Sequence, residues 1–260
     1  MPFAAIHGLS MHYKLRGLAN LPVLVFSNSL GANLDMWNGQ TEAVEGHYQV
    51  LRYDTRGHGK SGAGTDMFSI ADLAQDVLRL LDLLSIERAS FCGLSMGGVI
   101  GQWLGIHAPN RLDKLILCNT AAKIGTAETW DTRIATVKRE GLGPVIPGTL
   151  ERWFTTDFRR GQPESVARVR EMLDTTDVRG YAACCGAIRD ADFREEVAEI
   201  GTPTLVIAGS DDPVTTTIDA LFLASAIRGA QYIELKAAHL SNLGAMHEFN
   251  AAMLNFLTNS

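Results

Sequence analysis

The stretch Phe91-Cys92-Gly93-Leu94-Ser95-Met96-Gly97-Gly98 decides the fold. A mostly apolar run over residues 89–92 leads into it, and a second apolar run over residues 99–104 follows it. This order predicts a strand that enters a tight turn and continues as a helix. The Gly-x-Ser-x-Gly spacing is typical of a nucleophile elbow, which holds Ser95 at the apex of the turn. Gly93 and Gly97 let the two backbone segments approach closely.

A glycine-rich turn with an incidental serine would show the same five residues. The rest of the chain must therefore supply a base, an acid and an oxyanion hole. Its 260 residues, 46% hydrophobic and 20% charged, suit one large α/β domain or one domain with an insertion.

Charge and hydropathy limit the classes of partner. The net charge is −6 and Lys and Arg form no run, which disfavours nucleic acid and anionic membrane surfaces. No apolar run approaches the roughly 20 residues of a membrane span. The first residues lack the basic and apolar regions of a secretory signal. We expect a cytoplasmic protein with no nucleic-acid or membrane partner, and the sequence leaves its oligomeric state open.

The four cysteines suggest neither a metal site nor a disulfide framework. They are Cys92, Cys118, Cys184 and Cys185, with no Cys-x-x-Cys spacing. The first two end apolar runs, so we interpret them as buried packing groups. We expect no metal.

Strand-like and helix-like segments alternate on both sides of the elbow. The strand segments are a hairpin over residues 3–16 and runs at 22–26, 48–53, 89–92, 114–119, 204–208 and 231–235; the helical segments are a short one near Met36-Trp37 and longer ones at 70–84, after Ser95, at 218–227 and at 243–257. This alternation predicts an α/β fold with a mostly parallel eight-stranded sheet and helices on both faces.

The alternation is interrupted between residues 122 and 197. This segment contains helix-like pieces separated by glycines and prolines, without a convincing strand. We interpret it as a helical cap inserted into a core domain made of residues 1–121 and 198–260.

A second glycine-containing loop, Gly59-Lys60-Ser61, superficially matches a phosphate-binding loop. That motif needs a glycine five residues earlier, where this chain has Asp54. We therefore interpret residues 54–61 as a structural loop whose Asp and Arg hold the turn.

A serine nucleophile needs an imidazole base and a carboxylate that orients it. Polar loops follow two further strands, with Asp211-Asp212 after one and His239 after the other. The order Ser, Asp, His is that of the α/β-hydrolase scaffold. His58 is the one serious rival base, but it comes too early for this order. The residues alone leave the acid open between Asp211 and Asp212.

The oxyanion hole should combine the backbone N–H of Met96 with one from the loop at residues 27–31. We assign the second donor to Leu30, which precedes Gly31.

Four segments together resemble the α/β-hydrolase superfamily, and specifically the 3-oxoadipate enol-lactonases of the β-ketoadipate pathway. They are Ser27-Asn28-Ser29-Leu30-Gly31, residues 52–59, residues 93–98 and Asn119-Thr120-Ala121-Ala122-Lys123-Ile124-Gly125. The Ser-Asn loop and the last segment point to the lactonases. The resemblance selects Asp212 as the acid. It implies a cofactor-free serine hydrolase that opens the enol-lactone to 3-oxoadipate.

The resemblance also implies a small-molecule lactone that carries a free carboxylate, which needs a cation near the pocket. Trp130 and Arg133 lie three residues apart on a predicted cap helix, so they share a face. Arg133 would hold the carboxylate while Trp130 covers the lactone ring. The alternative is a solvated arginine beside a tryptophan of the cap core. Lys123 and Trp153 are weaker candidates.

The sequence is also compatible with two other functions. One is a general carboxylesterase or perhydrolase of the same fold, and the other is a catalytically silent ligand receptor.

Overall fold

The computed structural model describes residues 2–64 and 67–259, which form a sheet flanked by helices. The strands are β1 (Phe3–Ile6), β2 (Leu9–Arg16), β3 (Val23–Ser27), β4 (Gln49–Tyr53), β5 (Ala89–Leu94), β6 (Leu112–Cys118), β7 (Thr204–Gly209) and β8 (Gln231–Leu235). Their order across the sheet is β1-β2-β4-β3-β5-β6-β7-β8. The β1–β2 hairpin and the β2–β4 pair are antiparallel, and every later pair is parallel. The predicted mostly parallel sheet of eight strands is confirmed.

The helices follow the predicted order. They are α1 (Asn38–Val44), α2 (Ile70–Leu83), α3 (Met96–His107), α4 (Ala127–Glu140), α5 (Ile146–Trp153), α6 (Thr156–Gly161), α7 (Pro163–Asp174), α8 (Val178–Asp190), α9 (Thr217–Ala226), α10 (Ser241–Gly244) and α11 (Met246–Thr258). A single 3-10 turn at Leu34–Trp37 precedes α1. Helix α3 packs against β3, β5 and β6, and α9 packs against β7 and β8.

Helix α2 shows how local sequence sets an element. The Ser69 side chain accepts from the Asp72 N–H while the Asp72 carboxylate accepts from the Ser69 N–H, which satisfies two otherwise unpaired donors. The apolar residues that recur at helical spacing are buried, and the helix packs against α3 and β1. These buried residues are Leu73, Val77, Leu80 and Leu81. The predicted helix is confirmed, ending one residue earlier than expected.

The single helix predicted at 243–257 is wrong in one respect, because the structure divides the segment into α10 and α11. The backbone at Ala245 leaves the helical region, with φ −135° and ψ 52°. Two buried polar side chains fix α10: Ser241 donates to Asn119 Oδ1, and Asn242 Nδ2 donates to the Met36 carbonyl at 2.9 Å. Helical periodicity does not reveal such anchors.

Helices α4 to α8 occupy the segment between β6 and β7, and residues 122–197 contain no strand. Helix α4 packs along α8. The division into a cap at 122–197 and a core at 1–121 and 198–260 stays a prediction.

The loop at residues 54–61 is structural. The buried Asp54 carboxylate accepts from the Leu34 N–H at 2.8 Å and the Lys60 N–H at 2.9 Å, and it lies 2.7 Å from His12 Nδ1. A Cβ at Gly59 would lie 2.3 Å from this carboxylate, so glycine is required there. Arg56 pairs with the buried Asp76. Through the contact between Asp54 and His12, the loop holds the end of β4 against β2.

All four cysteines are buried and free, as a packing role requires. In the part of the chain that the structure describes, no helix is both long and apolar enough to cross a membrane.

Candidate active site

Ser95 lies in the turn between β5 and α3, and its backbone is strained. Its φ of 57° and ψ of −114° are rare for a residue with a side chain and cost about 1–3 kcal/mol. Two hydrogen bonds hold the turn: the Ser95 N–H donates to the Cys118 carbonyl at 2.9 Å, and Thr120 Oγ1 donates to the Ser95 carbonyl at 2.9 Å. Strain held in place at a single residue of a turn is typical of a functional side chain.

The glycines on either side of Ser95 are required by close backbone approach, as predicted. A Cβ at Gly93 would lie 2.1 Å from the Gly97 carbonyl oxygen, and a Cβ at Gly97 would lie 2.3 Å from the Ser27 carbonyl oxygen. No side chain fits at either position, so the elbow depends on both.

The structure joins His239 to Asp212 and not to Asp211. His239 Nδ1 lies 2.8 Å from Asp212 Oδ2, and both side chains are almost fully buried. Asp211 is exposed, and its carboxylate accepts from Ser210 Oγ at 3.0 Å. The loop after β7 therefore buries the second of its two aspartates and leaves the first in solvent.

The Asp212 carboxylate is surrounded by donors. Besides the imidazole, Oδ2 accepts from Thr215 Oγ1 at 2.8 Å and Asn119 Nδ2 at 3.0 Å, while Oδ1 accepts from the Val214 N–H at 2.8 Å. Burial by itself raises the pKa of Asp212, but the charge and hydrogen bond of His239, with the other donors, outweigh it and hold the pKa below its ordinary value. Asp212 therefore remains ionised and fixes the ring orientation of His239.

Asn119 and Thr215 are site residues that sequence reasoning missed. The sequence places Asn119 only in a segment that resembles the lactonases, yet its side chain donates to Asp212 and accepts from Ser241 Oγ. Its position at the end of β6, beside the ends of β5 and β7, is the signal that could have revealed this role.

Ser95 and His239 both line a cavity of about 340 Å³. Among the residues that the structure describes, no hydrogen bond joins Ser95 Oγ to the imidazole. Catalytic hydrogen bonds are often long before substrate binds, so the shared cavity is the relevant observation. The Leu240 N–H donates to the Trp153 carbonyl at 3.1 Å, which attaches the end of α5 to the His239 loop.

The two backbone donors expected to form the oxyanion hole have no competing partner. Leu30 lies in a turn closed by the Ala32 N–H donating to the Ser29 carbonyl at 3.1 Å, and Gly31 there has φ +83°. Across residues 2–64 and 67–259, neither the Leu30 N–H nor the Met96 N–H donates to an acceptor. Leu30 and Ser29 line the cavity, and Met96 begins α3 directly after Ser95.

The rival base His58 lies away from this cavity. It is buried, its Nδ1 contacts the Arg56 carbonyl at 3.1 Å, and burial lowers its pKa. It is not among the residues that line the cavity with Ser95 and His239.

Trp130 and Arg133 both line the cavity, from helix α4. The Trp130 indole donates to the Ile124 carbonyl at 2.7 Å, which fixes the ring. The Arg133 guanidinium carbon lies 5.6 Å from the centre of that ring, and its Nη1 donates to the Tyr181 hydroxyl at 3.2 Å. The predicted shared face of these two residues is confirmed.

The weaker cap candidates behave differently from each other. Trp153 lines the cavity with its ring centre 6.3 Å from that of His239, whereas Lys123 lies outside it and pairs with Asp192 at 3.1 Å. The cavity wall also contains Arg152 and Tyr181, which sequence reasoning did not single out. Arg152 is adjacent to Trp153, and that adjacency was its one local signal.

A larger cavity of about 770 Å³ lies between α7 and the start of α11. None of the predicted site residues lines it.

Residues 22–245 match the α/β hydrolase fold family. The chain belongs to this family. Within it, the chain is 44% identical over 245 residues to 3-oxoadipate enol-lactonase 2 of Acinetobacter baylyi, covering 94% of this chain and 92% of that protein. It is 40% identical over 242 residues to 3-oxoadipate enol-lactonase 1 of the same organism, covering 93% and 91%.

A solved α/β hydrolase shares this architecture closely. The crystal structure of the enol-lactonase from Burkholderia xenovorans LB400 superimposes with a TM-score of 0.98 at 44% identity, covering 99% of this chain and 100% of that one. The resemblance inferred from the four sequence segments is confirmed.

Proposed function

We propose that this α/β hydrolase opens the lactone ring of 3-oxoadipate enol-lactone to give 3-oxoadipate. The observation that carries the proposal is the near-full-length likeness, at 44% identity, to a 3-oxoadipate enol-lactonase. The site geometry supports serine hydrolase chemistry at Ser95.

The proposed roles follow from the geometry. Ser95 Oγ attacks the lactone carbonyl and passes its proton to His239 Nε2, while Asp212 holds the ring through Nδ1. The N–H groups of Leu30 and Met96 stabilise the oxyanion. When the intermediate collapses, the ring C–O bond breaks, and the enol oxygen leaves with the proton from His239. The enol then becomes a ketone.

Water completes the cycle. His239 takes a proton from the water molecule that attacks the acyl carbon, and it returns that proton to Ser95 Oγ as the ester bond breaks. The product carries one carboxylate more than the substrate, and its new acid group releases a proton to solvent.

Residues 122–197 serve in this proposal as the cap that selects the substrate. Arg133 binds the carboxylate that the lactone carries, and Trp130 covers the ring. A lone carboxylate would be costly to bury in the cavity without a cation, and Arg133 provides one. A cytoplasmic location stays a sequence-based prediction.

The test is a comparison of steady-state kinetics on the enol-lactone and on an uncharged aryl ester such as 4-nitrophenyl acetate. We expect kcat/KM to favour the lactone strongly. A preference for the uncharged ester would instead indicate a general carboxylesterase. If a serine-directed phosphonate fails to label Ser95, the protein is a ligand receptor on this scaffold.

A further inference from the structure

Two guanidinium groups face the active-site cavity, and they come from different helices. Arg133 belongs to α4 and Arg152 to α5, and both are half-buried. In the described part of the chain, no carboxylate lies within 4 Å of either group, and no Asp or Glu lines the cavity. The cavity therefore holds two positive charges without a bound counter-charge from the protein.

Several other arginines of residues 122–197 are paired with carboxylates, among them Arg139, Arg189 and Arg194. On the outer face of α4, Arg139 pairs with Glu140, and at the end of α8 Arg189 pairs with Asp131 at 2.6 Å. In contrast, the one hydrogen bond from the Arg152 guanidinium to the described residues is a long contact of 3.4 Å with Thr149 Oγ1. The pairing pattern separates the two cavity arginines from these surface groups.

The hydroxyl that lies beside both arginines does not neutralise them. Tyr181 accepts from Arg133 at 3.2 Å, but burial raises its pKa to about 12, so the phenol is uncharged. Burial, and then the charge of Arg133, lowers the pKa of Arg152. Bringing two cations together in a half-buried cavity is unfavourable unless an anion is bound there.

Ring opening changes the charge of the ligand. On the proposed function, the substrate is a monocarboxylate and the product is a dicarboxylate, because the lactone ester becomes a second carboxylate. Two guanidinium groups in a cavity of about 340 Å³ match the product's charge better than the substrate's.

We propose that Arg152 is a second anion-binding arginine of the cavity, and that Arg133 and Arg152 together make it a binding site for six-carbon dicarboxylates. This inference rests on the proposed function for the identity of the ligand. It implies that the product competes with the substrate for the site, and that adipate is an inhibitor.

Isothermal titration calorimetry on the full-length Ser95→Ala protein tests the site without turnover. The three ligands are adipate, monomethyl adipate and dimethyl adipate, which share a carbon chain and carry two, one and no negative charges. We expect adipate to bind roughly tenfold or more tightly than the monoester, since a hydrogen bond to a charged group contributes about 1.5–3 kcal/mol. The diester should bind most weakly.

Arginine variants in the same background assign the effect to the two side chains. Arg152→Gln should weaken adipate binding about tenfold or more and leave the diester unchanged, and Arg133→Gln should do the same. Arg152→Lys, which keeps the charge, should retain part of the affinity. Arg139→Gln, on the outer face of α4, is the matched control and should bind all three ligands as the parent does.

Equal affinities for adipate and its monoester would overturn the proposal, even if an arginine variant failed to fold. So would a folded Arg152→Gln protein with unchanged adipate affinity. Enol-lactone turnover by the unsubstituted enzyme is measured separately. A chain that binds adipate through both arginines without opening the lactone contradicts the proposed function and leaves the dicarboxylate site standing.

Discussion

At the scale of single residues, the proposed chemistry depends on three side chains that each follow a strand of the parallel sheet. Ser95 follows β5, Asp212 follows β7 and His239 follows β8. Because the carboxyl ends of parallel strands meet at one edge, their approximate proximity was predictable from sequence. The choice of Asp212 over Asp211 needed the family resemblance, and the structure agrees with it through the 2.8 Å contact to His239.

The acid provides a sharp prediction because its neighbour is a natural control. Asp212→Asn should lower kcat about 10⁴-fold, since an amide in place of the carboxylate favours the wrong imidazole tautomer. Steady-state kinetics on the lactone measure the loss. Asp211→Asn removes an exposed carboxylate one residue away and should leave kcat within twofold, on the order expected for a surface change. Equal losses in the two variants would contradict the assignment.

The cap anchor makes a prediction about selectivity. Arg133→Ala should raise KM for carboxylate-bearing substrates roughly 10- to 100-fold, because a charge-assisted hydrogen bond is lost. KM for a neutral aryl ester should hardly change. A comparable effect on both substrate classes would mean that Arg133 is structural, acting through its contacts with Trp130 and Tyr181.

Arg152 and Tyr181 show what the sequence could not provide at this scale. They lie on α5 and α8, and they meet Arg133 of α4 only through the packing of the cap. Periodicity predicts which residues share a face of one helix, as it did for Trp130 and Arg133. It does not predict which faces of separate helices come together.

At the scale of elements, the turn that contains the proposed oxyanion donor Leu30 contacts helices α7 and α8 of the proposed cap. A Cβ at Gly31 would lie 2.5 Å from Leu173 Cδ2 and 3.2 Å from the Tyr181 ring, so helices α7 and α8 press directly on this turn. Thr176 Oγ1 also lies 3.3 Å from the Gly31 carbonyl oxygen. The proposed donor Leu30 is therefore positioned by residues more than 140 positions later in the chain.

Gly31→Ala tests this clamp. The new methyl group should displace the turn, lowering kcat for both lactone and aryl ester by about tenfold or more through the oxyanion hole. Gly46→Ala is the matched control, since Gly46 has a similar φ of +89° but open space around a Cβ. That control should lose about 1 kcal/mol of stability from backbone strain and keep its kcat.

A second substitution separates displacement from strain. Leu173→Ala removes the side chain that lies nearest to the new methyl group. The double variant Gly31→Ala/Leu173→Ala should therefore recover part of the kcat that Gly31→Ala loses. No recovery would mean that backbone strain alone, and not pressure from α7, disturbs the turn.

At the scale of the whole molecule, the proposed cap and the proposed core approach each other backbone to backbone. A Cβ at Gly57 would lie 2.4 Å from Gly180 Cα, so the loop after β4 touches the first turns of α8 directly. The alternation of strands and helices predicted the sheet, and the loss of strands after β6 predicted an inserted segment. Nothing local indicated this Gly57–Gly180 contact, because each glycine is ordinary in its own loop or helix.

The junction contains a buried imidazole that should couple stability to pH. His58 follows Gly57, and its ring centre lies 6.5 Å from that of Tyr181 on α8. Its Nε2 is buried and has no hydrogen-bond partner among the residues that the structure describes, so a proton there would leave an unsatisfied charged donor. Burial lowers the pKa of His58 below its ordinary 6.5, although the Arg56 carbonyl and the charges of Asp54 and Asp177 oppose the shift.

The sign of the pH dependence follows from this shift. Below about pH 6.5 the unfolded chain binds a proton at His58 that the folded protein resists. The free energy of unfolding should therefore fall as the pH drops from 6.5 towards the lowered pKa, by at most about 1.4 kcal/mol per pH unit from this residue. His58→Asn, whose amide can still donate to the Arg56 carbonyl, should reduce that slope. Urea unfolding at pH 7.5, 6.5 and 5.5 measures it, with the exposed His47→Asn as control. If the slope of the free energy of unfolding against pH were unchanged in His58→Asn but reduced in His47→Asn, the acid sensitivity would lie outside the junction that contains His58.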